Sequence, residues 1–168
     1  VIGRDAIVFK GIAADGSVHQ NLPTFCRVAV AAHPTSDSDI EFEVWMPSSG
    51  WNGKFVGLGN GGFTGTIRYG QMADMLKAGY ATANTNTGHW GSDGTFAYRR
   101  PEKIIDFGYR AVNLMTGQSK TLINAFYGKD PTRSYFTGCS QGGRQGMMEA
   151  QRYPEDYDGI IVGDPAHN

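Results

Sequence analysis

The stretch RSYFTGCSQGGRQGMMEAQRYPEDYDGIIVG, residues 133–163, decides the fold. RSYFTG (133–138) reads as a strand, GGRQGMMEAQRY (142–153) as a helix and DGIIVG (158–163) as a buried strand. Strand, helix and strand in this order form a βαβ unit, which requires parallel pairing. Between the first strand and the helix, Gly138-Cys139-Ser140-Gln141-Gly142 matches G-x-S-x-G. In that context the pattern is a nucleophile elbow. The serine occupies a strained turn that exposes its Oγ, and the flanking glycines let strand and helix approach without a Cβ clash. The helix N-terminus places a positive partial charge beside a developing oxyanion. A dinucleotide-binding turn is a poor match, because the segment reads GCSQGGR and not G-x-G-x-x-G.

Working outward, FCRVAVAAHP (25–34) and DIEFEVWMP (39–47) form a hairpin across the polar turn TSDSD. The second strand alternates Ile40, Phe42, Val44 and Met46 with Glu41, Glu43 and Trp45, the pattern of a half-buried antiparallel strand. A short strand at Phe55–Leu58 runs into the glycine cluster GNGGF (59–63). YGQMADMLKAGY (69–80) is helical in spacing, and YATANTNTG (80–88) is a small-residue strand. PEKIIDFGYRAVNLMTGQSKTLINAFYG (101–128) is the longest predicted helix, with Pro101 in its first turn and Gly128 ending it. The alternation after the hairpin predicts an α/β fold with a mostly parallel sheet and helices on both faces. Chemistry in such sheets gathers at the carboxyl ends of the strands, here 59–63, 87–90, 138–143 and 163–168.

The chain has 168 residues, a formal net charge of −1 and 18% charged residues, a balance that argues against a nucleic-acid binder or a polybasic membrane-surface protein. No apolar run approaches the ~18 residues of a transmembrane helix. Glycine contributes 24 residues, roughly double average usage. Val1 is not a Met, and no leader pattern follows it. That leaves a cytosolic chain or one with its N-terminus removed. The final strand runs straight into a loop, so the chain is expected to be part of a longer domain.

A serine nucleophile needs an oxyanion hole, a base and an orienting acid. The N–H of Gln141 is one candidate oxyanion donor, and Gly61 or Gly62 in the loop after the first parallel strand supplies the other. The base is harder to find. His167 is the one histidine after Ser140, and Asp164 precedes it on the same loop, too close to come from two separate strand ends. His89, at a strand end, is a candidate pocket or substrate-binding residue, although it precedes the serine. His19 and His33 fall in turn regions and read as solvated. Arg144, in the first helical turn, reads as a brace hydrogen-bonded to backbone carbonyls near the elbow. Trp45, Trp51 and Trp90 fall in different elements, which disfavours a carbohydrate-binding platform. Cys26 and Cys139 have no zinc spacing, and a reduced pair, a mutual disulfide or half-cystines with missing partners are all open.

The blocks LPTFCRVAV, IEFEVWMP, WNGKFVGLGNGGF, YATANTNTGH, PEKIIDFGYRAV and SYFTGCSQGGRQGMMEAQRYPEDYDGIIVGDPA resemble the tannase and feruloyl esterase family of α/β-hydrolases. The resemblance runs from about Leu22 to Ala166, and GCSxGGRQ followed by RYPEDYDGI is its most specific part. It implies secreted or periplasmic serine esterases acting on hydroxybenzoate and hydroxycinnamate esters, with Ser140 as nucleophile. It also implies an α/β-hydrolase-type sheet that is incomplete here, lacking the lid and the C-terminal strands. Residues 1–168 are then the N-terminal part of one catalytic domain, ending before the lid insertion. In the family the cysteine matched by Cys139 pairs with one directly after the catalytic histidine, so the partners of Cys139 and Cys26 are expected outside this chain. The family's calcium site lies in the lid; no cofactor is expected here, and no D-x-[DN]-x-[DN]-G loop is present. Asp164 departs from the family, where a small residue is commoner. The alternative expectation is a non-catalytic fragment, inactive unless a C-terminal segment supplies the acid and the histidine. The expected partner is a small aromatic ester, with no nucleic acid or membrane; the ester's identity and the oligomeric state are left open.

Overall fold

The computed structural model describes residues 16–166. One sheet of six strands runs through them in the order β1-β2-β4-β3-β5-β6. The strands are β1 (Phe25–Ala32), β2 (Ile40–Pro47), β3 (Lys54–Leu58), β4 (Ala81–Thr85), β5 (Arg133–Cys139) and β6 (Gly159–Gly163). β1–β2 and β2–β4 are antiparallel, and the other pairings are parallel. The hairpin and the βαβ alternation are therefore as the sequence predicts.

Helix α1 (Tyr69–Lys77) covers one face of the sheet. Its Tyr69, Met72 and Leu76 pack against Phe25, Trp45, Val56 and Leu58. Met72 and Leu76 are fully buried, each worth ~1.5–3 kcal/mol by area. The opposite face is covered by α3 (Ala111–Tyr127), whose Ala111, Met115 and Ile123 join Phe42, Phe55, Ala83 and Phe136. Helix α4 (Gln141–Arg152) lies on that face too, with Gly146 against Phe136, Ile160 and Val162. Connections from the adjacent strands β3 and β5 thus leave on opposite faces. Their carboxyl ends bound the crevice where open α/β sheets bind ligands.

Two expectations are corrected and a third gains detail. β2 is not half-buried: Glu43 and Trp45 are as enclosed as Phe42 and Val44, because α1 covers their face. Burial of the Glu43 carboxylate is compensated by donors from Arg27, Trp45 Nε1 and Tyr69 OH. β6 is not a buried strand. Among the described residues it pairs only with β5, and Ile161 is 72% exposed. The long helix runs from Pro101 to Tyr127 as predicted, but it is not α-helical throughout. After α2 (Pro101–Ile105) a widened π-turn, Asp106–Arg110, precedes α3. Its Phe107 and Gly108 carbonyls accept hydrogen bonds from Arg144, each at 2.9 Å.

Candidate active site

Ser140 joins β5 to α4 with φ 57° and ψ −118°, a conformation rarely occupied by a residue with a side chain. Two hydrogen bonds hold it there: its N–H donates to Gly163 O at 2.9 Å, and its carbonyl accepts from Ala166 N at 3.0 Å. The side chain is exposed, and no described residue hydrogen-bonds its Oγ. The strain is sustained because strand and helix meet at backbone contact. A Cβ on Gly138 would lie 2.4 Å from Gly142 O, and one on Gly59 would lie 2.6 Å from Gly142 Cα.

That contact also sets the loop after β3 against the elbow. Asn60 follows Gly59, is 2% exposed, and anchors the loop through Nδ2 to Thr66 O and Thr85 O. The carbonyl of Gly61 accepts from Thr64 N at 3.0 Å. The N–H groups of Gly61 and Gly62 make no hydrogen bond to any described residue. Gln141 is the first residue of α4, so its N–H has no intrahelical acceptor. The structure thus brings Ser140, Gln141 and the Gly61–Gly62 loop to the same end of adjacent strands. A cleft of about 500 Å³ opens beside Gly59, Asn60, Gly138 and Cys139.

His89 is buried and tied to the loop after β3, and it does not line this cleft. Its Nε2 donates to Phe63 O at 2.7 Å, and its ring stacks on Phe96 at 3.6 Å. Burial lowers its pKa, and the charge of Lys103 adds to that. No hydrogen bond connects it with Ser140 among the described residues. His33 is mostly exposed and His19 half-buried beside Ser17. His167 lies outside the described residues. Asp164 is exposed, with φ 39°, on the loop that brackets Ser140.

Arg144 braces the elbow. Besides Phe107 O and Gly108 O, it donates to Gln141 Oε1 at 2.9 Å, with no carboxylate partner among the described residues, and burial lowers its pKa. Cys26 and Cys139 are free thiols, so no disulfide joins the described residues. β1 and β5 stand four strand spacings apart, about 19 Å, well beyond disulfide reach. Burial raises the Cys26 pKa. Trp45 is fully buried, Trp51 stacks on Tyr127 at 3.8 Å, and Trp90 is exposed, so they form no common platform. No group of three or more His, Cys, Asp or Glu among the described residues could hold a metal ion.

Sequence reasoning missed Asn60, Gln145 and the π-turn. A signal was present in α4, where polar Gln141, Gln145 and Glu149 recur every four residues. All three are buried.

A strained serine between strand and helix, beside a glycine loop at the switch point of the sheet, defines an α/β-hydrolase-type fold. The chain belongs to the tannase and feruloyl esterase family: residues 26–168 match the family described as Tannase and feruloyl esterase. An uncharacterised esterase of Xanthomonas campestris pv. campestris is 45% identical over 156 residues, 92% of this chain and 27% of that protein. The crystal structure of feruloyl esterase B from Aspergillus oryzae superposes with TM-score 0.87 and 38% identity, covering 96% of this chain and 32% of that one. Tannin acyl hydrolase from Aspergillus niger follows with TM-score 0.72 and 26% identity, covering 86% and 28%. The chain therefore spans only about a quarter to a third of the lengths of these relatives.

Proposed function

We propose that this chain carries the nucleophile and oxyanion hole of a serine carboxylic-ester hydrolase for aromatic esters, of the hydroxybenzoate or hydroxycinnamate kind. The observation that carries this reading is the strained, exposed Ser140 at the β5–α4 elbow. The feruloyl esterase and tannin acyl hydrolase similarities supply the substrate class. Ser140 Oγ attacks the ester carbonyl while a histidine, oriented by an aspartate, takes its proton. Both come from a segment outside residues 16–166. The negative oxygen rests on the N–H of Gln141 and of Gly61 or Gly62. The alcohol leaves with the proton, and water then releases the aromatic acid from the acyl-enzyme. Residues 1–168 are the N-terminal part of that catalytic domain, in a secreted or periplasmic protein.

The test is hydrolysis of chromogenic ferulate and gallate esters by the complete protein and its Ser140→Ala variant. Loss of turnover by about 10⁴-fold or more is expected. Normal turnover by the variant overturns the nucleophile assignment.

A second reading concerns this chain by itself. No described imidazole or carboxylate hydrogen-bonds Ser140 Oγ, which supports a non-catalytic piece that needs a complementary segment. Residues 1–168 expressed alone should then show no specific turnover until that segment is added. Full activity of the isolated chain would sink this reading.

A further inference from the structure

Gln145 is 1% exposed on the second turn of α4. Its amide reaches across to the loop after β3 and meets Asn60 twice. Oε1 accepts the Asn60 backbone N–H at 2.9 Å, and Nε2 donates to Asn60 Oδ1 at 3.3 Å. Asn60 is the residue immediately before Gly61. Its own Nδ2 is spent on Thr66 O and Thr85 O, at 3.1 and 2.9 Å. A buried side chain on the nucleophile's helix therefore grips the backbone of the oxyanion loop one residue before the donor.

We propose that Gln145 is a positioning residue, which sets the Gly61–Gly62 N–H groups relative to Ser140 by holding the Asn60 peptide; this rests on the esterase reading above. Geometry and chemistry support it together. Asn60 N–H is buried and has Gln145 Oε1 as its acceptor. Gly59 and Gly142 meet at backbone contact, so a small shift of the loop moves the donors directly relative to the elbow. The neighbouring peptide is held as well, through Gly61 O and Thr64 N. Both flanks of Gly61 are tied, while its N–H and that of Gly62 have no hydrogen-bond partner among the described residues. Oxyanion stabilisation falls steeply with displacement of the donor. A glutamine is suited to the task because one amide accepts from the backbone and donates to the side chain of the same residue.

The test uses the complete protein, with sites counted by titration with a serine-reactive phosphonate so that only folded enzyme is scored. Gln145→Met, close in shape but without the amide, should lower kcat per site by about 10- to 100-fold, with KM changed less than about twofold. Affinity for an aryl boronate, which mimics the tetrahedral anion, should fall by the same factor. Gln145→Glu keeps the acceptor for Asn60 N–H and should recover at least half of the loss on a logarithmic scale. Should the Met variant not fold, Gln145→Leu serves in its place. Unchanged kcat and boronate affinity per site in the apolar variant would overturn the proposal. So would a Glu variant no better than the apolar one. If Ser140→Ala keeps full turnover, the esterase reading fails first. If Ser140→Ala is dead and the apolar Gln145 variant is normal, only the positioning role fails.

Discussion

His89 and Phe63 join two loops of the site: the imidazole Nε2–H donates to the Phe63 carbonyl at 2.7 Å. Phe63 directly follows the Gly61–Gly62 pair, so this bond fastens the far end of the glycine loop after β3 to the loop after β4. A second fastening lies beside it, where Gly65 N donates to Gly91 O at 2.7 Å.

This contact sets a pH dependence. Burial depresses the His89 pKa, so the unfolded chain takes up a proton before the native state does. The stability contribution is complete above the unfolded value near 6.5 and is lost as pH falls from there through the lower native pKa. His89→Phe keeps the stack on Phe96 and removes this titration. Urea unfolding of the complete protein should show the variant about 1–2 kcal/mol less stable at pH 8. The gap should narrow toward pH 5; a constant gap counts against a titrating His89.

Glu149 predicts the opposite slope. Its carboxylate is fully buried, neither oxygen has a hydrogen-bond partner among the described residues, and burial, reinforced by Asp156, pushes its pKa up to about 8. The native state holds the proton where the unfolded chain has lost it. Stability from this group is therefore full below about pH 4.5 and declines as pH rises through about 8. Glu149→Gln should stabilise the protein by a few kcal/mol at pH 8.5, at about 1.4 kcal/mol per pKa unit, and by much less at pH 4.5. Equal effects at the two pH values would contradict this.

Arg144 tests the brace. Its guanidinium reaches Gln141, Phe107 and Gly108 through three different nitrogens. Lysine keeps the charge but cannot span the three acceptors. Arg144→Lys should cost about 2–4 kcal/mol in chemical unfolding. A loss below about 0.5 kcal/mol would show that the π-turn does not depend on the fork.

Glycine packing at the elbow is tested by a matched pair. Gly59→Ala brings a methyl to 2.6 Å from Gly142 Cα, which is backbone and cannot swing away. Gly94→Ala meets nothing within 4 Å. The first should destabilise by about 1–3 kcal/mol, and the second should stay within about 0.5 kcal/mol. Comparable thermal shifts for the two would refute the close approach.

Much of the fold was legible in local pattern. The helical spacing of Met72 and Leu76 and the alternation of Ile40, Phe42 and Val44 reflect which face is buried, and burial acts residue by residue. The elbow was legible too, because Gly138 and Gly142 stand at fixed distances from Ser140. The covering of Glu43 and Trp45 was not, since it depends on α1 crossing over from a different part of the chain. Nor was the π-turn, because Phe107 and Gly108 have ordinary helical neighbours and their carbonyls turn toward Arg144 only after α4 docks.

By itself, the sequence determined the element order, the parallel sheet and the serine at the turn, because these follow from periodicity and glycine sterics over a few residues. Tertiary structure alone decided that Gln145 grips Asn60 and that His89 serves Phe63. A buried amide or imidazole takes whichever partner the packing brings within 3 Å, and these partners lie 85 and 26 residues away. The same physics accounts for part of the glycine excess. Gly59, Gly138 and Gly142 are small because a strand end, a helix start and a loop all pass through one point beside Ser140.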